Sequence, residues 1–144
     1  MTTFWTGKCS SFGGPDDMGV GRQEGLGLIK QSDLNEWWFS RLFLDDVGDF
    51  GLARSLNPKA FYCAMRFAYG SFGGVQGEIL PGYSCDQIRR GLFVVTFNGK
   101  SIFVQAADWG PNLDTGRLID CSPGVLNTLG AVTDSVVNVV FIEA

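Results

Sequence analysis

Residues 92–111 read Leu92-Phe-Val-Val-Thr-Phe97, then Asn98-Gly99, then Lys100-Ser-Ile-Phe-Val-Gln-Ala-Ala107, and then Asp108-Trp-Gly-Pro111. Two runs rich in β-branched and aromatic residues flank an Asn-Gly pair, which supplies the two positive φ angles that a two-residue type I′ turn requires. The stretch is therefore a β-hairpin, and its second strand runs out at Asp108. Further on, Gly116-Arg-Leu-Ile-Asp120-Cys-Ser-Pro123 predicts a short strand over 117–120 that also ends in an acid. Ser122 then stands as a helix cap, Pro123 as the first helical residue and Gly130 as the stop. A closing strand covers about 135–142.

Working outward, Ser84-Cys-Asp-Gln87 has capping-box spacing and Gly91 sits where a C′ glycine belongs, which predicts one or two helical turns between them. Phe61 to Ala68 reads as a strand after the Asn57-Pro58 break, followed by a loop holding Gly70, Gly73, Gly74 and Gly77. Leu34, Trp37, Trp38 and Leu42 fall at helical spacing after Ser32, so a helix is predicted over about 33–43, with the Trp pair packed on the rest of the fold. Asp45-Asp46-Val-Gly-Asp49 reads as a solvated turn, since the downstream Glu of a Ca²⁺ loop is absent. The first 27 residues, with Gly7, Gly13, Gly14, Gly19, Gly21, Gly25 and Gly27, read as a loop-rich opening around one strand near Cys9 to Phe12. The expectation is a mainly β chain of five or six short strands with short helices in the connections. A small closed barrel suits so few strands, because closure removes exposed edges.

Composition narrows the chemistry. The 144 residues carry 11 Lys+Arg against 15 Asp+Glu, and the length fits one domain over 1–144. The acidic balance, with no basic stripe beyond Arg89-Arg90, excludes a nucleic-acid partner, whose phosphates need clustered cations. No run approaches the ~18 apolar residues of a membrane span. Met1-Thr-Thr-Phe-Trp-Thr-Gly-Lys8 lacks the charged and apolar regions of a signal peptide, so a cytoplasmic, released or virion-associated protein is expected. There is no His, which excludes Ser-His-Asp and Cys-His machinery and His-ligated metals, and no cofactor or metal is expected. Acid–base work near neutral pH falls to a tuned carboxylate. Cys9, Cys63, Cys85 and Cys121 contain no C-x-x-C spacing. Their even number permits disulfides, Cys63–Cys85 or Cys9–Cys121 among them, while the lack of an export signal favours buried free thiols.

The segment from Val104 to Pro111, the loop to Gly116, and the run through Ile119-Asp120-Cys-Ser to Leu129-Gly130 resemble the double-psi β-barrel domain of the rare lipoprotein A, expansin and barwin-like endoglucanase superfamily. Early on, Cys9-Ser-Ser-Phe-Gly-Gly-Pro15 is similar to that family's aromatic-glycine first strand. The likeness spans about residues 92–142. The family's frequent site His is missing, Cys121 stands in place of a Leu, and an insert over about 25–56 has no family counterpart.

The resemblance implies a six-stranded double-psi barrel with a shallow polysaccharide groove, a peptidoglycan-like glycan as partner, and Asp120 as the essential acid with Asp108 beside it. A carboxylic acid can protonate a glycosidic oxygen, and a lytic transglycosylase-like route needs only one such group because the substrate's own hydroxyl attacks. Trp109 would offer a stacking face to a sugar, and Ser11, Asp16 and Asp17 would line the groove. Each residue also has a plain structural role open to it. Asp108 can start a turn, Asp120 can favour the following helix, Trp109 can pack at the rim, and Asp16 and Asp17 can sit in a solvated turn. Arg66 and Arg117 would hold the acids ionised if paired with them, against an acid role. Two other functional classes stay open: a non-catalytic glycan-binding or virion-associated module, and a protein-partner barrel such as a protease inhibitor.

Overall fold

The computed structural model describes residues 2–45, 50–66 and 83–143. Six strands, β1 (Thr2–Ser11), β2 (Tyr62–Met65), β3 (Leu92–Phe97), β4 (Lys100–Trp109), β5 (Ile119–Cys121) and β6 (Val136–Ile142), close into a barrel in the order β1-β5-β2-β4-β3-β6. The short helices α1 (Trp37–Ser40), α2 (Leu52–Ser55), α3 (Cys85–Arg90) and α4 (Pro123–Leu129) lie in the connections. Only β3 and β4 are consecutive and adjacent; the other four connections each step over one intervening strand. β1–β5 and β2–β4 are the parallel pairs, and the other neighbours are antiparallel. Among the described residues no helix is long and apolar enough to cross a membrane.

Local chemistry explains most elements. Asn98 (φ 51°) and Gly99 (φ 81°) take the two left-handed positions of the β3–β4 turn. Ser84 and Gln87 form the reciprocal capping box of α3. Ser122 caps α4 through the Val125 N–H, and Gly130 ends it in the left-handed conformation at φ 73°. Strict alternation on β6 buries Val137, Val139 and Phe141 and leaves Val136, Asn138 and Ile142 outside.

Two apolar layers result. The barrel interior holds Phe93, Val95, Val104, Ala106, Val139 and Phe141 together with Cys9, Cys63 and Cys121. A second layer, Phe12, Ile29, Phe39, Leu42, Leu56 and Tyr62 with Ala64 and Ala107, lies against the outer side of β2 and β4. The residues of the 25–56 insert supply most of it.

Several expectations are corrected. The helix over 33–43 is instead a 3₁₀ turn, Gln31–Asn35, and the one-turn α1. Asp33 accepts the Lys30 N–H and closes the first turn, and Glu36 then takes an extended conformation (φ −101°, ψ 130°) that interrupts the helix, so Ser32 is not its cap. Trp38 is half-buried on the second layer, whereas Trp37 projects into solvent. The opening contains a ten-residue strand where one short strand was expected, because β1 pairs over most of its length with β6 from the far end of the chain. Gly91 ends α3 at φ −82°, so it is no left-handed stop; a side chain there would enter the Phe141 ring. The strand expected over 117–120 is Ile119–Cys121, which leaves Asp120 in its middle rather than at its end. Residues 46–49 of the acidic turn, 67–68 of the expected strand and the Gly70–Gly77 loop fall outside the described residues. The cysteines stand as thiols, as the missing export signal favoured: Cys9, Cys63 and Cys121 are buried, with Cys63 opposite Cys121 across β2 and β5, and only Cys85, half-buried on α3, departs from the expected burial.

Gly99 has no neighbour within 4 Å of where a side chain would start, so Gly99→Ala tests backbone strain alone. It should cost about 1–2 kcal/mol in urea unfolding. Ellman's reagent should modify Cys85 in the folded protein and reach the three core thiols, whose ionisation burial suppresses, only after denaturation.

Candidate functional site

β2 sits between β4 and β5, and its register sets the site. Ala64 pairs with Asp108 on one side and Asp120 on the other, while Asp120 also pairs with Ser10 of β1. Ser10, Asp120, Ala64 and Asp108 thus form one row across four strands. A register shift between Cys63 and Ala64 brings Asp108 into it. With adjacent strands ~4.8 Å apart, the Asp108 and Asp120 backbones lie roughly 10 Å from each other.

The two acids have different surroundings. Oδ1 of Asp108 accepts the N–H of Gly27 at 2.7 Å and its neighbour Trp109's N–H at 2.8 Å. Gly27 belongs to the insert, and a side chain there would press on that same oxygen, so the close approach needs glycine. Burial under the insert pushes the Asp108 carboxyl up to about 6, against the pull of those two hydrogen bonds and helped by Glu24. Asp120 is also pushed up to about 6 by burial, opposed by Arg117 and reinforced by the charges of Asp108 and Asp17, with Arg66 pulling down. No hydrogen bond to its carboxylate is formed among the described residues. Gly110 (φ 142°) turns the chain beside it, at a distance where a side chain would only touch Oδ2.

Among the described residues no salt bridge joins Arg66 or Arg117 to Asp108 or Asp120. Arg66 is buried and donates from Nη1 to the carbonyls of Arg117 (2.7 Å) and Pro111 (3.1 Å), which ties together the two segments flanking Asp120. Arg117 is engaged by Asp134 at 2.9 Å. Their fields act on Asp120 but lose to desolvation.

Ser11, Asp16 and Asp17 come together elsewhere on the rim, lining a groove of about 440 Å³. That groove adjoins one of about 560 Å³ along α4, and the two share Ser11, Pro58 and Pro123 as walls. Asp16 is exposed, whereas both oxygens of Asp17 are taken, by the N–H groups of Gly13 (2.6 Å) and Gly19 (2.8 Å). Asp108, Trp109 and Asp120 do not line this trough, though the Asp17 charge acts on Asp120. Trp109 is half-buried against the barrel core. Sequence reasoning missed Gly27 and Gly110 and the clamp role of Arg66, none of which carries a local signal. Among the described residues no group of acids and cysteines is placed to hold a metal ion.

The architecture defines a closed six-stranded β-barrel whose outer face carries two desolvated carboxyls. No protein-family model matches the chain, and no curated protein matches it. Among solved structures it is similar to the Streptomyces papain inhibitor, with a TM-score of 0.50 over 97% of this chain and 94% of that one at 14% identity, a likeness of fold.

Both acids titrate near 6 in the folded protein against 3.8 when free. Between those values the native state holds protons that the unfolded chain has released, so stability should fall as pH rises through this window and level off above it. Asp120→Asn should flatten that slope and be at least as stable as the wild type at pH 7, read by thermal melts across pH. Asp108→Ala should be about 1–3 kcal/mol less stable than Asp108→Asn, because only the amide keeps an acceptor for the Gly27 and Trp109 N–H groups.

Proposed function

We propose that the protein acts on a cell-wall glycan of the peptidoglycan type, with Asp120 as its acid. The observation that carries the reading is a desolvated carboxyl that titrates near 6 yet accepts no hydrogen bond among the described residues. A group of this kind is protonated in part near neutral pH and has its proton free to give. Asp108 has an oxygen committed to two backbone donors and so is a poor second catalyst, acting through charge on Asp120. Two-carboxylate hydrolysis therefore fits less well than a one-acid route. In that route Asp120 protonates the leaving glycosidic oxygen as the C–O bond breaks. The substrate's own hydroxyl then closes on the oxocarbenium-like carbon and returns its proton to the Asp120 carboxylate, leaving an anhydro-sugar without consuming water. The joined grooves beside Ser11, Asp16 and Asp17, which Asp120 does not line, would seat a flanking part of the polymer, and Trp109 would border the reacting unit.

A rival reading takes its motive from the named activity of the papain inhibitor, a barrel that binds a protease. At that identity the likeness speaks for the barrel and leaves the site unassigned.

Purified protein incubated with peptidoglycan, with and without stem peptides, should release anhydro-sugar products detectable by mass spectrometry. Turnover should decline as pH rises through about 6, and Asp120→Asn should abolish it while retaining sedimentation with the glycan. Binding without products in both proteins would remove the enzymatic step and leave a glycan-binding module. Neither products nor binding, together with inhibition of papain, would favour the rival.

A further inference from the structure

A third groove, of about 540 Å³, lies between α1 and the middle of β4, and neither Asp108 nor Asp120 lines it. Its volume falls within the ~300–1,000 Å³ of small-molecule sites. Trp37, Trp38, Phe61 and Phe103 form its apolar walls, and Arg41, Lys59 and Gln105 supply its polar groups. Trp37 and Phe103 are 71% and 61% exposed, so two flat aromatic surfaces stand open to a ligand.

The polar groups are biased. Gln105 is 1% exposed; its Oε1 accepts Arg41 Nη2 at 2.7 Å, while its Nε2 has no hydrogen-bond partner. Buried amide donors are rarely left unmatched in folded proteins. The Arg41 guanidinium stacks over Trp38 at 4.7 Å and Trp37 at 5.9 Å and has no carboxylate partner among the described residues. Among the described residues no acid lines the groove, although the chain as a whole carries a net charge of −4. Of the polar side chains lining it, Arg41, Lys59 and the Gln105 Nε2 are donors, and the Gln105 Oε1 already accepts from Arg41. A saccharide has several hydroxyl protons to place and finds no open side-chain acceptor among these groups. A carboxylate is acceptor-only and negative, and it suits the set.

We infer that this groove binds a small organic acid, one carboxylate on an apolar ring-sized body. Arg41, Lys59 and Gln105 Nε2 hold the carboxylate, and the ring lies against Trp37 and Phe103. The site is independent of the glycan reading and of Asp120.

Isothermal titration with naphthoate, its neutral isostere naphthamide and N-acetylglucosamine oligomers tests the inference. Naphthoate should bind at least about tenfold more tightly than naphthamide, and more weakly as salt is raised. Arg41→Gln, Gln105→Leu and Trp37→Ala should each weaken naphthoate by about tenfold or more, with Asp120→Asn unchanged. Should a variant fail to fold by circular dichroism, the naphthoate-to-naphthamide ratio of the wild type still decides. Equal affinity for the two, no naphthoate binding at millimolar concentration, undiminished binding by a folded Arg41→Gln, or oligosaccharide binding that Trp37→Ala weakens would each overturn it.

Discussion

The four residues of β2 are buried on both faces, and the rest of the structure follows from that constraint. Cys63 and Met65 turn into the barrel, while Tyr62 and Ala64 turn outward, where a strand of an ordinary small barrel would meet water. An outward Tyr62 with no exposure needs an apolar cover and a partner for its hydroxyl. Phe39, Leu42, Leu56 and Ile29 provide the cover, and the Phe12 carbonyl accepts the hydroxyl at 2.8 Å. Gly13, at φ 88°, lets the backbone pass so close to that hydroxyl that any side chain there would strike it. The 25–56 insert is therefore the outer layer of the core.

That layer also sets the electrostatics. Asp108 and Asp120 occupy the row that holds Ala64, and desolvation is the largest influence on both. The same burial yields different groups because the backbone treats them differently. Gly27 and Trp109 donate into Asp108 and fix it as a joint between insert and barrel. The segments beside Asp120 are held by Arg66 through their carbonyls, which orders the surroundings of the acid without donating to it. A carboxyl caged in this way keeps both its raised affinity for a proton and its freedom to give one up.

Features that depend on a few adjacent residues were legible in the sequence. The Asn98-Gly99 turn, the Ser84-Gln87 box and the Ser122-Pro123 start of α4 each rest on a local backbone requirement, and each stands where it was read. The closed barrel of short strands followed from strand count and motif. What stayed hidden depends on partners far along the chain. β1 is a ten-residue strand because β6 lies beside it, although its own glycines and polar residues suggest a loop. The helical periodicity of Leu34, Trp37, Trp38 and Leu42 was sound as a pattern of burial for three of its members, yet Glu36 breaks the backbone between them. Asp108 and Asp120 were read as neighbouring strand ends. Their relation through Ala64 required the parallel pairing of β2 with β4 and the shift within it, and no spacing in the sequence encodes either.

The distribution of the cations completes the argument. Arg89 is paired with Asp33, Arg117 with Asp134, and Arg66 donates to backbone carbonyls. These contacts fasten α3 to the insert, the approach to β5 to the turn before β6, and the flanks of Asp120 to each other. Arg41 is spent differently, on two indoles and a buried amide, and it brings no fastening carboxylate with it. Stacking on an aromatic face desolvates a guanidinium without neutralising it, so the groove keeps a positive charge. The insert thus has two sides with separate physical tasks. Its inner side buries the outward face of β2 and fixes Asp108 through Gly27, and its outer side holds Arg41, with no carboxylate partner among the described residues, against open aromatic rings.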